Sequence, residues 1–173
     1  VAVMHSHADV IVTLTNLRDG EARIREVFGD AVVVVPYVMP GFDLAREVRT
    51  TWPTQVNPQT IGMVLMNHGL FTFGSSCKEA YERHTALIDR AQQFLDRIPA
   101  GQKPSAASTP CSCALELARM RRQLSDAAGK PMVVRRHTGD KVMSFVARPD
   151  VANLSNRGPL TPDHVIRTKR VPL

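Results

Sequence analysis

An α/β fold is what this 173-residue chain predicts, and three observations carry it. Residues 31–35 are an almost unbroken run of β-branched side chains, Ala31-Val32-Val33-Val34-Val35, as expected of a strand buried on both faces. Residues 61–66 are a second apolar run of strand length. Residues 77–97, by contrast, place Ala80, His84, Leu87, Ala91 and Phe94 at helical spacing, behind the capping-box pair Ser76 and Glu79.

The remaining elements follow in order. The apolar stretch 1–7 reads as a strand and 8–15 as a short helix ending near Asn16. Residues 20–28 alternate Ala22, Ile24, Val27 and Phe28 with charged neighbours and read as a helix broken by Gly29. A proline-rich loop, 36–41, leads to a helix over 42–51 that Trp52-Pro53 is expected to close. Residues 70–73 form a further strand, and Gly69 would let the backbone turn sharply beside His68. Residues 99–108 have linker composition, and Thr109-Pro110 opens a helix running to about Ala128. Residues 131–135 and 142–147 are expected to pair as a hairpin, and 156–173 to form an extended tail.

Composition is that of a globular protein with one full core, without an apolar run near the ~20 residues a membrane span needs. No membrane partner is expected. The net charge of +6 lies largely in Arg119 to Arg122, Arg135-Arg136 and Arg167 to Arg170, with no aromatic residues interleaved and no nucleic-acid motif, so no nucleic-acid partner is expected either. Cys77, Cys111 and Cys113 are too few for a disulfide framework and read as reduced thiols of a cytoplasmic protein.

The chemistry gathers in two distant stretches. His5 and His7 are two residues apart, so on a strand both imidazoles leave the same face. His68, in Met66-Asn67-His68-Gly69, ends another apolar strand. Three imidazoles leave one coordination position open, which marks a catalytic rather than a structural zinc. His84 sits on the apolar stripe of its helix and is expected in the core or an interface, not as a ligand.

The segments Ala2-Val3-Met4-His5-Ser6-His7-Ala8, Val35-Pro36-Tyr37-Val38-Met39-Pro40-Gly41 and Met66-Asn67-His68-Gly69-Leu70 occur in that order. Together they resemble the class II aldolase and adducin family. With Gly158-Pro159-Leu160-Thr161-Pro162-Asp163-His164, the sequence is similar to the aldolase half of bifunctional proteins in which a rhamnulose-1-phosphate aldolase precedes a short-chain dehydrogenase acting on lactaldehyde. The resemblance implies an α/β/α sandwich with a mixed, mainly antiparallel sheet. It implies residues 1–98 as the domain core, 99–155 as its C-terminal helix and hairpin, and 156–173 as a tail towards a dehydrogenase. No glycine-rich dinucleotide fingerprint is present, so that half is expected to be absent.

The same resemblance implies His5, His7 and His68 as ligands of Zn2+ or another divalent metal, and Tyr37 as an acid acting across a subunit boundary. It leaves His164 as a structural or linker residue. The implied reaction is cleavage of a ketose 1-phosphate to dihydroxyacetone phosphate and lactaldehyde through a metal-stabilised enediolate, in a homo-oligomer, by resemblance a tetramer. The family's catalytic glutamate and phosphate-binding residues lie upstream of the histidine pair, and Val1 stands only four residues before His5, so the domain is expected to be N-terminally incomplete. Epimerases and dehydratases share these motifs, and adducin-like domains keep the fold without the ligands.

Overall fold

Four short apolar strands build one mixed sheet, in a computed structural model that describes residues 1–98, 113–161 and 164. The strands are β1 (Ala2–Ser6), β2 (Val32–Val35), β3 (Gly62–Leu65) and β4 (Gly69–Gly74), in the spatial order β1-β4-β3-β2. β4 pairs antiparallel with both neighbours, His5 opposite Phe71 and Leu65 opposite Gly69, while β2 and β3 run parallel. The sheet is therefore mixed and mainly antiparallel, as expected.

Both faces of β2 and β3 are buried, which is why their sequences are continuous rather than alternating. On one face Val32, Val34, Val64 and Leu70 meet Ile11 and Leu14 of α1 (Asp9–Thr15), Ile24 and Phe28 of α2 (Gly20–Phe28), and Leu87 and Ala91 of α4 (Cys77–Arg97). On the other, Val33, Val35, Met63 and Leu65 meet Leu44, Val48 and Trp52 of α3 (Phe42–Gln55). Helices on both sides of one sheet make the α/β/α sandwich.

Two elements depart from expectation in this unit. α3 does not stop at Trp52-Pro53 but runs through Pro53 to Gln55. Pro53 falls in the last turn, where only one ladder bond is lost, and Val56 N–H still reaches the Trp52 carbonyl at 2.9 Å. The extra turn brings Gln55 to the outer edge of β2. There its amide accepts from Val34 N–H (2.9 Å) and donates to the Val34 carbonyl (3.0 Å). α4 has the expected cap, with Ser76 Oγ accepting from Glu79 N–H. Its reciprocal bond is displaced by one residue, since the Glu79 carboxylate accepts from the backbone and hydroxyl of Ser75.

The described residues 113–156 form a second compact unit, whereas residues 157–161 belong with the first. The second unit contains α5 (Ala114–Ala128), α6 (Asp140–Val146) and α7 (Val151–Ser155). The expected hairpin is not formed: residues 131–139 adopt neither helix nor strand, and 140–146 are helical. Val142, Phe145 and Val146 satisfy helical spacing as well as strand composition. Asp140 in the first turn favours the helix electrostatically. α5 ends as expected before Gly129, which takes the left-handed conformation at φ 64°. The expected linker, the Thr109-Pro110 cap, Cys111 and most of the tail lie outside the described residues. Among the described residues no helix is long and apolar enough to cross a membrane.

Candidate metal centre

His5 stands on β1 and leaves the sheet on the α3 side. Its ring lies 4.0 Å from that of Phe71, stacked at 14°. Its Nδ1–H donates to the Leu70 carbonyl at 3.0 Å, so Nε2 keeps its lone pair. His7 follows directly after β1, with Nε2 3.1 Å from Nε2 of His5. His68 comes from the three-residue turn between β3 and β4 and completes the group. Its ring centroid is 5.5 Å from that of His5 and 5.0 Å from that of His7.

The turn is shaped by Asn67 rather than by Gly69. Asn67 takes φ 56°, a left-handed conformation that asparagine tolerates better than other side-chain-bearing residues. Its amide donates to Asn16 Oδ1 at 2.9 Å, tying the turn to the end of α1. Gly69 is already in β4, and its role is space. A Cβ there would lie 2.4 Å from the Ser6 carbonyl oxygen, 3.1 Å from His7 Cδ2 and 3.2 Å from His5 Cε1. Only glycine lets the third histidine's strand pass so close to the first two.

One nitrogen from each of His5, His7 and His68 lies within 4.8 Å of the others. Tetrahedral zinc with Zn–N near 2.1 Å separates its nitrogens by about 3.4 Å, so the cluster is of the right size. Two further observations fit a cation. Nδ1 of His68 is buried with no hydrogen-bond partner among the described residues, a state that costs about 1–3 kcal/mol. The His5–Leu70 bond is the outer contact by which metal-ligating imidazoles are commonly oriented. Burial, and then the neighbouring imidazoles, hold the His68 pKa below the ordinary value of 6.5. Burial also lowers His5, against the opposing pull of the Leu70 carbonyl. Both rings are thereby kept in the neutral form that ligates. A cation held by the cluster would take the place of the His5–His7 contact.

A cleft of about 690 Å³ opens beside the cluster, lined by His7, His68, Tyr37, Met39 and Leu160, with Asn16 and Asn67 at one side. Tyr37, on the loop after β2, is 55% exposed and lines this cleft within a single chain. The structure thus brings all four residues singled out from the sequence to one place. His164 is exposed, with its backbone N–H donating to the hydroxyl of Thr161. The sequence reading missed Phe71, Leu70 and Asn16, which act through ring stacking, a carbonyl and a turn contact. It also missed Leu160 as part of the cleft wall.

Behind β1, Ser6 and Thr72 meet His84 of α4, which is 4% exposed and lies in the core as expected. Burial is the main cause that lowers its pKa, followed by the charge of His5.

Residues 1–95 match the family model Class II Aldolase and Adducin N-terminal domain, and residues 112–173 match Aldolase class II, second domain. Over 178 residues the chain is 30% identical to the uncharacterized oxidoreductase YuxG of Bacillus subtilis (strain 168), covering 99% of this chain and 26% of the relative. Among solved structures, the N-terminal class II aldolase domain of a conserved protein from Thermoplasma acidophilum is 45% identical with a TM-score of 0.47, covering 54% of this chain and 41% of that one. YgbL from Klebsiella pneumoniae, described as a putative aldolase/epimerase/decarboxylase, is 24% identical with a TM-score of 0.44, covering 57% and 50%. The chain therefore spans about a quarter of the length of the curated relative it matches. With the first of the two family models covering more than half of the sequence, the chain belongs to the class II aldolase and adducin family.

Proposed function

We propose that this chain carries the metal centre of a carbon–carbon lyase that cleaves a ketose 1-phosphate of the rhamnulose-1-phosphate type to dihydroxyacetone phosphate and lactaldehyde. The observation that carries the reading is the cluster of His5, His7 and His68 opening on a cleft with Tyr37. Zn2+ or another divalent metal held by the three imidazoles supplies Lewis-acid polarisation of substrate oxygens. Leu70 and Phe71 hold the His5 ring in one orientation. The Tyr37 hydroxyl delivers or takes a proton at the aldehyde-side oxygen. Met39, Pro40 and Leu160 give the cleft an apolar wall suited to the methyl end of a deoxy sugar. No Lys or Arg is among the described residues lining it.

The assembly is a homo-oligomer, by family resemblance a tetramer, acting on a small molecule without nucleic acid or membrane. A relative about four times as long and named an oxidoreductase supports joining the lyase to an enzyme that consumes the aldehyde.

The test loads the purified chain, and a longer version of the protein, with Zn2+ and offers rhamnulose 1-phosphate, fuculose 1-phosphate and ribulose 5-phosphate. Lactaldehyde release from a deoxyketose phosphate is expected. An epimerised or dehydrated sugar phosphate would replace the lyase with another enzyme on the same scaffold. Neither zinc uptake nor turnover in either protein would leave a non-catalytic interaction domain of the adducin kind.

A further inference from the structure

His84 sits behind the sheet, on the opposite side from the histidine cluster, and makes two side-chain hydrogen bonds at once. Its Nε2 is 2.7 Å from Ser6 Oγ, and its Nδ1 is 3.0 Å from Thr72 Oγ1. Thr72 Oγ1 in turn donates to the Ala80 carbonyl at 2.9 Å, one turn before His84 on α4. These partners fix the protons. The Thr72 hydroxyl spends its hydrogen on Ala80, so it accepts from His84 Nδ1–H. In the neutral ring Nε2 is then an acceptor, and Ser6 Oγ–H donates to it. Three side chains and one carbonyl form a single chain with every proton placed.

What this chain joins is specific. Ser6 lies between His5 and His7, and by strand alternation its side chain leaves the opposite face of β1. Thr72 is in β4, opposite Met4 of β1. The imidazole therefore fastens β1 and β4 together and both to α4, at the residue flanked by two of the three histidines. β1 needs such a fastening. Among the described residues it is an edge strand of five residues with intermediate and exposed positions, and no β1 residue is among the fully buried core. A slip of one residue there would turn His5 to the wrong face.

We propose that His84 is a positioning residue for the metal centre, acting through Ser6 to hold β1 at the register and tilt that bring His5 and His7 to His68. The proposal rests on the reading of the cluster as a cation site, and it is tested by two readouts that separate the two claims. The first uses the metal-free chain: the side-chain NMR signal of His5 Nδ1–H, which persists only while His5 is held against the Leu70 carbonyl. The second is Zn2+ affinity by chelator competition, with the visible spectrum of the Co2+-loaded chain as a geometric signature.

His84→Leu and Ser6→Ala are each expected to weaken the His5 Nδ1–H signal, to lower Zn2+ affinity about 10-fold or more, and to alter the Co2+ spectrum. The two effects are expected not to add in the double variant. His84→Gln, which keeps one donor and one acceptor, should restore part of the loss. Leu87→Ala, a cavity in the same helix away from Ser6, should lower stability while leaving affinity and spectrum of the folded protein unchanged. Ser6→Ala keeps the test decisive should His84→Leu fail to fold. Wild-type affinity, spectrum and His5 signal in Ser6→Ala, or a Leu87→Ala variant that loses as much affinity, would overturn the proposal. If the wild-type chain takes up no metal, the cation reading falls, and the His5 Nδ1–H signal alone decides whether His84 positions the strand.

Discussion

The Nδ1–H of His5 donates to the carbonyl of Leu70, a residue 65 positions away, at 3.0 Å. This bond selects the tautomer of His5 and aims Nε2 at His7 and His68. One strand pairing thereby sets the chemistry of the cluster: β1 lies beside β4, β4 begins where His68 ends, and the carbonyl needed by the first histidine sits two residues after the third.

If the three imidazoles act as one site, removing any of them should be nearly as damaging as removing all. His5→Ala, His7→Ala and His68→Ala are each expected to lower Zn2+ affinity by more than about 100-fold, beyond the usual cost of losing an outer contact. Elemental analysis after equilibration with equimolar zinc gives the stoichiometry, expected near one per chain for wild type. A single variant that still holds one equivalent tightly would remove that histidine from the site.

Gly69→Ala tests the crowding at the crossing of the strands. The added methyl would stand 2.4 Å from the Ser6 carbonyl and against two histidine rings. β1 and β4 must move apart, at a cost of about 2–3 kcal/mol in urea unfolding and with loss of metal affinity. Wild-type stability together with wild-type zinc uptake would show that the contact yields without harm.

Asn67 separates backbone from side chain. With φ at 56°, Asn67→Ala should cost about 1–2 kcal/mol. Asn67→Gly removes the backbone strain but also the bond to Asn16, so it should be the milder change. Denaturation midpoints of the two variants are the measurement, and the opposite order would refute this account.

Acidification should destabilise the metal-free chain early. His5, His68 and His84 all have folded-state pKa values held below 6.5, with burial as the largest cause. The unfolded chain therefore binds protons first as pH falls below 6.5, and the stabilising contribution present above that value is lost on the way down to the folded values. The urea midpoint should drop between pH 7 and 5.5, and less so in His84→Gln, which removes one of the three groups. Equal midpoints at the two pH values would show that the three rings titrate alike in both states.

The helices α2 and α4 were legible to the residue, since each combines an apolar stripe with a clear stop or cap. The strands were legible within a residue or two, because β-branched runs bounded by polar turns have few other solutions. Pro53 misled because its position in a last turn, harmless to the helix, is visible only once Gln55 has a strand to hold. Residues 131–147 misled because their apolar spacing fits a strand and a helix equally, and an isolated two-stranded hairpin is only marginally stable. At the site, the histidines and Tyr37 were legible from residue type and order. The contacts to Leu70, Phe71, Ser6 and Thr72 were not, for they depend on register, which a sequence states only weakly.

Four consecutive valines at the rim of a sheet are a hazard in any protein. An edge of that composition is a template on which other chains add strands, and short runs of high β-propensity without charge are what fibrils are made from. In this fold the carboxamide of Gln55 occupies both outward-facing backbone groups of Val34, as a neighbouring strand would. One side chain at the end of one helix therefore blocks that edge at Val34, where a strand of another chain would pair. Its loss would be felt less as a change in folding equilibrium than as a shortened shelf life, with seeded growth of insoluble protein from an otherwise native molecule.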